Sequence, residues 1–330
     1  MGTVKLGLIG IGNIGKVHLR NCLKLEHGEL LAASDISKKA LSYTENLGVK
    51  RTYKDYVQLL KDSDIDGVIV CLPTHLHARC AIRAAEEGKD VFLEKPLARN
   101  ATEGEEIVST AKKYGVKLMV GYPLRFASSF RSLKDKISSG VVGDVQTAYA
   151  SMINDGPFFH RAESQVPRPV PRWWFEKKQT GGGCLIDQGS HLINLLRWYL
   201  GEVADVKCHF GYRFNLDVED YAICLLRFQS GTTAIINVGW YSMKNQIKVE
   251  LMGSVDHVVA CHKSSNKLIS ALHLLIGITP RFYAPYYLEL QHFVDTIERD
   301  LEPTPSGEDA LEDLKVISTA YKKSAKSSHI

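Results

Sequence analysis

The first third of the chain alternates short, almost wholly apolar runs with longer stretches in which apolar residues recur every three or four positions. Apolar runs of this length predict buried strands, and the longer periodic stretches predict helices. The predicted strands are 4–9, 30–34, 67–72, 90–93 and 117–121, and the predicted helices are 13–25, 37–47, 54–61, 76–87 and 102–114. Strands with two apolar faces predict a doubly wound parallel sheet with helices on both sides, an α/β domain over residues 1–122.

After Pro123 the pattern changes to longer strands joined by short turns. Turns such as 229–231 (Gln-Ser-Gly) indicate hairpins. The predicted strands are 145–153, 203–214, 218–228, 232–240, 246–252 and 255–261, and the predicted helices are 127–138, 184–200, 285–299 and 307–325. Residues 123–330 are therefore predicted to form a second, α+β domain with a large, mostly antiparallel open sheet.

Two strands of this second sheet, 221–226 and 233–238, do not alternate cleanly between apolar and polar residues. A strand that is apolar on both sides needs both of its faces covered. The few helices predicted in this half can cover one face, which leaves the other for a second copy of the chain. We therefore predict a homodimer or homotetramer assembled through this sheet. The alternative is that the terminal helices cover more of the sheet than this estimate allows.

Composition excludes several classes of protein. Of the 330 residues, 41 are basic and 37 are acidic, and a net charge of +4 is too small to indicate nucleic-acid binding. No apolar stretch approaches the length of a membrane span. The seven cysteines are odd in number and form no C-x-x-C pair, which predicts buried thiols in a reducing compartment. With a core strand beginning at Val4 there is no room for a signal peptide, so we predict a cytoplasmic protein.

The segment 10–15 (GIGNIG) joins the first predicted strand to the first predicted helix. In that context a Gly-x-Gly-x-x-Gly turn is typical of a Rossmann domain, where a pyrophosphate binds at the helix N-terminus. An acidic residue twenty positions later can bind the ribose hydroxyls. Its charge favours NAD over NADP, although the lysines at 38 and 39 leave NADP possible. The cofactor residues predicted here are Gly10, Gly12, Asn13, Ile14, Gly15 and Asp35.

Two further strand ends of the first domain carry candidate cofactor residues. Ligands of an open parallel sheet bind beyond the carboxyl ends of its strands, so Lys95 is predicted to lie beside the nicotinamide. Pro96 stiffens the backbone there, and its peptide bond can be cis. The turn after strand 67–72 is predicted to close over the nicotinamide half of the cofactor. The residues assigned to the cofactor at these ends are Cys71, Pro73, Thr74, His77, Glu94 and Lys95.

The pair His75 and His77 also allows a metal-binding interpretation, since His-x-His at a strand end occurs in metal-dependent hydrolases. A metal site needs three or four converging ligands. No acidic residue or histidine follows the other predicted strands in a suitable position, so we predict no metal.

The helix predicted over 184–200 carries a polar stripe on an otherwise apolar surface. Asp187, His191, Asn194 and Trp198 are spaced to share one face of a regular helix. Polar side chains that are buried without partners are costly, so the stripe is expected to line a cavity. Three glycines at 181–183 precede it and allow a close backbone approach. An acid four residues before a histidine indicates an oriented acid/base pair.

The loop over 154–179 is rich in proline, arginine and tryptophan and leads into this helix. Long loops in compact domains often act as lids over a binding site. The loop contains His160, Arg161, Arg168, Arg172, Trp173, Trp174, Lys177 and Lys178 against Asp155, Glu163 and Glu176. This basic excess favours a phosphorylated, acidic or nucleotide-linked sugar. The alternative is a solvated loop whose tryptophans pack on the core.

These motifs resemble the glucose–fructose oxidoreductase / inositol dehydrogenase family of NAD(P)-dependent sugar oxidoreductases, over essentially the whole chain. The similarity rests on 10–15, 71–77, 94–96 (EKP), 121–126, 181–191 and 287–293. It implies a Rossmann domain followed by an α/β domain whose open sheet forms dimers or tetramers. It also implies catalytic roles for Lys95, Asp187 and His191. The substrate-binding residues expected from it and from the loop are Lys95, Tyr122, Arg125, Asn154, Arg172, Trp173, Asp187, His191 and Asn194.

The expected reaction is oxidation of a secondary alcohol of a sugar, polyol or sugar derivative. A base must take the hydroxyl proton while a hydride leaves for the cofactor. We assign the base to His191, alkoxide stabilisation to Lys95, and orientation of His191 or binding of a neighbouring hydroxyl to Asp187. Many relatives carry Asp where this chain has Asn194, and an amide cannot act as a base.

Two other functions remain open at this point. The first is a dinucleotide-dependent sensor of sugar pathways without net turnover. The second is an enzyme that uses NAD transiently, oxidising and re-reducing one substrate to allow elimination or hydrolysis of a glycoside. A pure sensor has no need of Lys95, Asp187 and His191, so their presence together favours an enzyme.

Overall fold

A computed structural model describes residues 2–154, 156–158, 171–242, 245–263 and 284–327 of the chain. The helices are α1 (Asn13–Cys22), α2 (Lys38–Glu45), α3 (Tyr56–Leu60), α4 (His77–Glu86), α5 (Ala101–Tyr114), α6 (Ser128–Ser138), α7 (Lys177–Thr180), α8 (Ser190–Leu200), α9 (Ala284–Glu298) and α10 (Gly307–Ser327). Single helical turns occur at Thr74–Leu76, Pro123–Phe126, Gly156–Phe158, Arg172–Phe175 and Leu185–Gly189. None of these helices has the length and apolar composition that crossing a membrane requires.

Two compact units make up the chain, and each contains one sheet. The first unit is Met1–Pro123 with Tyr283–Leu311, and the second is Leu124–Phe282 with Glu312–Ile330. The sequence placed everything after residue 122 in the second domain, so the assignment of Tyr283–Leu311 differs. The physical reason is that α9 packs against α1 and against two strands of the first sheet.

The sheet of the first unit is parallel. Among the described residues its strands are β1 (Val4–Ile9), β2 (Gly28–Ser34), β3 (Arg51–Tyr53), β4 (Gly67–Val70), β5 (Asp90–Glu94) and β6 (Leu118–Gly121). They lie in the order β3-β2-β1-β4-β5-β6. From β1 the chain adds β2 and β3 on one side, and it then crosses over to add β4, β5 and β6 on the other side. The predicted Rossmann-type α/β domain is therefore confirmed. Strand β3 was not predicted, because three half-buried residues show no hydrophobic period.

The sheet of the second unit is mostly antiparallel, as predicted. Its described strands are β7 (Val145–Ile153), β8 (Val203–Gly211), β9 (Tyr221–Phe228), β10 (Thr233–Gly239), β11 (Gln246–Gly253) and β12 (His257–Lys263). They lie in the order β12-β11-β7-β10-β9-β8, and the β7–β10 pair is parallel. This α+β unit and the Rossmann unit together confirm the predicted fold class.

One face of this second sheet carries exposed apolar side chains. Strand β9 alternates strictly, with Ala222, Cys224, Leu226 and Phe228 buried on one face. On the other face Leu225 is 47% exposed, and Ile235, directly opposite it on β10, is 43% exposed. The expectation of two apolar faces is thus met, and the second face is open to solvent within the described part of this chain.

The cysteines depart from the prediction at one pair. Cys208 on β8 and Cys224 on β9 form a disulfide, because the antiparallel register places them directly opposite each other. The interpretation of every cysteine as a free thiol is therefore wrong for these two. The remaining five are free, and Cys22, Cys71, Cys80 and Cys184 are buried. The predicted cytoplasmic location, which depended partly on the cysteines, stays a prediction.

Candidate active site

The glycine turn after β1 is shaped by two close approaches of the backbone. Gly10 has a φ of +91°, and a Cβ built there would lie 2.6 Å from the carbonyl oxygen of Cys71. A Cβ on Gly15 would lie 2.0 Å from the carbonyl oxygen of Gly10. A Cβ on Gly12 would meet nothing within 4 Å. The fold itself requires Gly10 and Gly15, whereas Gly12 borders open space at the N-terminus of α1, which fits a bound pyrophosphate.

Asp35 is held beside this turn by two backbone N–H groups. Ile11 donates to its Oδ2 at 2.7 Å, and Ser37 donates to its Oδ1 at 2.8 Å. The carboxylate lies at the end of β2 and is half-exposed. It is thus oriented toward the glycine turn while part of it remains accessible. A fixed carboxylate in this position can accept ribose hydroxyls and disfavours a 2′-phosphate.

The segment that carries Lys95 is fixed by a buried carboxylate. Glu94 ends β5, and its Oε2 accepts the N–H of Lys95 at 3.1 Å. Its Oε1 lies 2.6 Å from Nε2 of His18 on α1. The Lys95–Pro96 peptide bond is cis, the isomer that the sequence allowed. The backbone of Lys95 is therefore tied to the interior of the first unit.

His77 connects the turn after β4 to the turn after β5. Its Nδ1 lies 2.9 Å from the carbonyl oxygen of Pro96, and its Nε2 lies 2.8 Å from that of Leu72. The ring is buried, and burial lowers its pKa. Both ring nitrogens thus contact main-chain carbonyls, and neither is directed to a metal or a ligand. This geometry ties the turn after β4 to Pro96, next to Lys95, and the cofactor contact of His77 stays a prediction.

The remaining cofactor candidates of this turn are less enclosed or are core residues. Thr74 is buried, and Pro73 is half-buried. Cys71 is buried, and burial raises the pKa of its thiol well above the usual range. Tyr122, directly after β6, is buried in the same unit.

The segment that carries Asp187 and His191 is not one regular helix. Leu185–Gly189 forms a π-helical turn, and α8 begins at Ser190. Asp187 lies on the wide turn and is half-buried, and His191 lies in the first turn of α8 and is buried. Wide turns of this kind occur frequently at functional sites. The predicted single helix over 184–200 is corrected accordingly.

Glu219 supports this segment, and the sequence did not identify it. Its carboxylate accepts the N–H groups of Gly183 at 2.9 Å and Leu185 at 3.0 Å, and the hydroxyl of Tyr321 at 2.6 Å. A Cβ on Gly183 would lie 1.9 Å from the Glu219 carbonyl oxygen, and one on Gly182 would lie 2.0 Å from the Tyr321 hydroxyl. The glycines thus allow Glu219 and Tyr321 to pack against the start of the wide turn. The one sequence signal was an acidic pair, 219–220, directly before an apolar strand.

Asn194 is part of a buried network rather than a surface facing substrate. Its Oδ1 accepts from Arg125 Nε at 2.6 Å, and its Nδ2 donates to Asp313 Oδ2 at 2.6 Å. Asp313 also accepts from Arg197 at 2.7 Å. The Arg125 guanidinium lies 5.6 Å from the ring centre of Trp198. The structure thus brings Asn194 and Trp198 of the predicted stripe together with Arg125, but both ends of the amide have partners within the protein.

The described ends of the predicted lid have different environments. Asn154 Oδ1 accepts from Gly156 N at 2.7 Å and from Gln188 Nε2 at 2.5 Å, which ties it to the wide turn. The Arg172 side chain is 94% exposed, with Nε 3.6 Å from Glu176. The rings of Trp173 and Trp174 lie 5.5 Å apart. The loop residues Asp155, His160, Arg161, Glu163 and Arg168 lie outside the described residues.

Two models of known protein families match the chain, one in each unit. Residues 4–122 match a model described as an oxidoreductase family with an NAD-binding Rossmann fold. Residues 130–258 match the GFO/IDH/MocA C-terminal domain. The chain belongs to the GFO/IDH/MocA oxidoreductase family. It is an NAD-binding dehydrogenase, and the resemblance drawn from the sequence is confirmed.

Individual relatives are similar over nearly their full length. Myo-inositol 2-dehydrogenase of Thermotoga maritima is 28% identical, covering 93% of this chain and 92% of the relative. The NAD⁺-dependent scyllo-inositol 2-dehydrogenase of Bacillus subtilis is 27% identical, covering 95% and 92%. The crystal structure of GenD2 from gentamicin A biosynthesis, in complex with NAD, has a TM-score of 0.85 at 20% identity, covering 99% and 95%. At this level of identity, the similarity to GenD2 shows a shared fold.

The glycine turn separates cofactor binding from folding in a testable way. Replacing Gly12 with Ala is expected to weaken NADH binding by about tenfold and to change the free energy of unfolding by no more than about 0.5 kcal/mol. Replacing Gly15 with Ala forces a Cβ against the Gly10 carbonyl and is expected to cost about 1–3 kcal/mol of stability. Urea unfolding and NADH fluorescence titration measure the two effects. Equal destabilisation by both variants would contradict this division.

Proposed function

We propose that this enzyme transfers a hydride between nicotinamide C4 and a secondary hydroxyl or keto carbon of a sugar, polyol or sugar derivative. The observation that carries the proposal is the position of Lys95, directly after β5 of the NAD-binding sheet and anchored through Glu94. Ligands of such sheets lie beyond the carboxyl ends of the strands. The two inositol dehydrogenases similar to the whole chain make a cyclic polyol the first substrate class to test.

The proton of the reacting hydroxyl is assigned to His191 and Lys95. A neutral imidazole accepts that proton as the hydride leaves, and an ammonium group beside the same oxygen stabilises the developing negative charge. Asp187 orients the histidine or binds an adjacent hydroxyl. Bound NAD supplies the hydride acceptor. Asn194 is left out of substrate binding, because Arg125 and Asp313 occupy its amide.

NAD is proposed as the physiological cofactor in preference to NADP. Asp35 is fixed at the end of β2 by Ile11 and Ser37, and its carboxylate would face a 2′-phosphate with a like charge.

The exposed Arg172 keeps an acidic or phosphorylated sugar within the proposed substrate classes.

Substitution of the two proton-handling residues tests the assignment. Lys95→Ala is expected to lower kcat about 10²–10³-fold and His191→Ala about 10²–10⁴-fold, with NADH affinity retained. The assay is NADH formation across inositols, aldoses, deoxy sugars, sugar phosphates and sugar acids, each with NAD and with NADP. Near-wild-type turnover by either variant would contradict its role. If no panel member yields NADH while NADH binding is intact, a transient-redox enzyme or a sensor becomes the better interpretation.

We also propose that a second copy of the chain covers the exposed face of the second sheet. Ile223, Leu225 and Ile235 form an exposed apolar patch across β9 and β10, and burying such a surface favours association. The shared face would give a homodimer or, with a further contact, a homotetramer.

A charge placed in this patch is expected to separate the subunits. Leu225→Glu should convert the assembly to monomers in light scattering coupled to size-exclusion chromatography, because a carboxylate would be buried without a partner. Val255→Glu, at a solvent-exposed turn of the same unit, is the matched control and should leave the assembly unchanged. A wild-type protein that is monomeric at micromolar concentration would contradict the proposal.

A further inference from the structure

A cluster of three titratable side chains lies in the interior of the first unit, behind Lys95. His18 comes from α1, Glu94 from the end of β5 and Glu289 from α9, and all three are buried. One nitrogen or oxygen atom from each lies within 4.8 Å of the others. Helix α9 thus places an acid from the far end of the sequence beside the glutamate that anchors Lys95.

Glu289 is the unusual member of the cluster. Its side chain is 0% exposed, and neither carboxylate oxygen has a hydrogen-bond partner among the described residues. No lysine or arginine of the described chain forms an ion pair with it either. An ionised carboxylate in such a position is strongly destabilised by the loss of water. Burial, and then the nearby charge of Glu94, raise the pKa of Glu289 well above its usual range.

A metal ion could also neutralise two buried carboxylates, and the residue types would suit zinc. A tetrahedral zinc ion with bonds of about 2.0 Å holds its ligand atoms roughly 3.3 Å apart. His18 Nε2 and Glu94 Oε1 are separated by 2.6 Å, which is a hydrogen-bond distance. The geometry therefore favours a proton over a metal ion at this position.

We propose that Glu289 is a positioning residue for Lys95, which stays protonated and keeps the Glu94–Glu289 pair at a single negative charge. With that one charge, Glu94 can remain buried against His18 while its Oε2 accepts the Lys95 N–H. A second charge would expel one carboxylate from the cluster and loosen the Lys95 backbone. This inference rests on the proposed role of Lys95 in turnover.

Few other titratable groups of the described residues lie near the cluster, and one of them is His77, which interacts with Glu94 and whose pKa is lowered by burial. Cys71 after β4 interacts with Glu94 and Glu289, and Cys22 of α1 interacts with Cys71; burial raises the pKa of Cys22 to about 12 and that of Cys71 well above its usual range. Both thiols therefore stay neutral near pH 7. Tyr286 of α9 contacts the His18 ring. The one charged residue of strand β1 is Lys5, which lies four residues before Ile9 at the carboxyl end of the strand.

Folding stability gives a test that does not depend on turnover. A carboxyl group whose pKa rises on folding stabilises the folded state fully below its unfolded pKa of 4.5, and this contribution is lost as the pH rises through the raised value. Wild-type Tm is therefore expected to fall relative to Glu289→Gln as the pH rises above the unfolded pKa of 4.5. Gln is neutral at every pH and is close to Glu in size. Parallel Tm curves for the two proteins would overturn the proposal.

Turnover then tests the link to Lys95. Glu289→Gln and Glu289→Leu, which both lack a charge, are expected to keep kcat within about threefold of wild type near pH 7 with NADH affinity retained, whereas wild-type kcat should fall at least about tenfold relative to them as the pH rises and Glu289 ionises. If Glu289→Leu does not fold, the comparison of Gln with wild type still decides. Stoichiometric zinc in the purified protein, lost in Glu289→Gln, would overturn the proposal in favour of a metal site.

Lys95→Ala separates this inference from the proposed function. If Lys95→Ala has normal turnover but the Tm curves of wild type and Glu289→Gln still diverge with pH, the proposed function fails and the protonated state of Glu289 stands. If Lys95→Ala is inactive and the Tm curves of wild type and Glu289→Gln are parallel, the proposed function stands and the protonated state of Glu289 is contradicted.

Discussion

The hydrogen bond from the Lys95 backbone to the buried carboxylate of Glu94 is the interaction on which the candidate active site depends most. It ties the residue directly after β5 to the interior of the first unit. Burying a carboxylate costs several kcal/mol unless donors or a proton compensate it. Here a main-chain N–H and the ring of His18 do so. The second unit uses the same device, since buried Glu219 accepts two main-chain N–H groups beside the turn that carries Asp187.

Close backbone packing imposes the second constraint. Gly15 and Gly183 are positions where a Cβ would collide with a carbonyl oxygen, at 2.0 Å and 1.9 Å. These contacts bring α1 against the β1 turn and the wide turn against Glu219. Rigid support of this kind lets a site hold polar groups at fixed positions, which is a large part of how enzymes stabilise developing charge. Preorganisation in each unit thus comes from glycine together with a buried acid.

The sequence predicted what local periodicity controls. Strand β1 and the antiparallel character of the second sheet follow from short-range patterns, and the glycine turn with Asp35 was recognisable from its spacing. Contacts between distant segments could not be predicted in this way. The Cys208–Cys224 disulfide depends on strand register, and the occupied amide of Asn194 depends on Asp313, 119 residues away. The packing of α9 on the first unit belongs to the same class.

The measurement that tests the central claim most directly follows a deuterium label. The enzyme would be incubated with NAD and an inositol, or whichever polyol proves active, that carries deuterium at every carbon-bound position, and the nicotinamide product analysed by mass spectrometry. Direct hydride transfer predicts reduced cofactor that gains one deuterium per turnover, in proportion to oxidised substrate. Substrate that is transformed without net reduced cofactor, or reduced cofactor that carries only solvent hydrogen, would contradict the account.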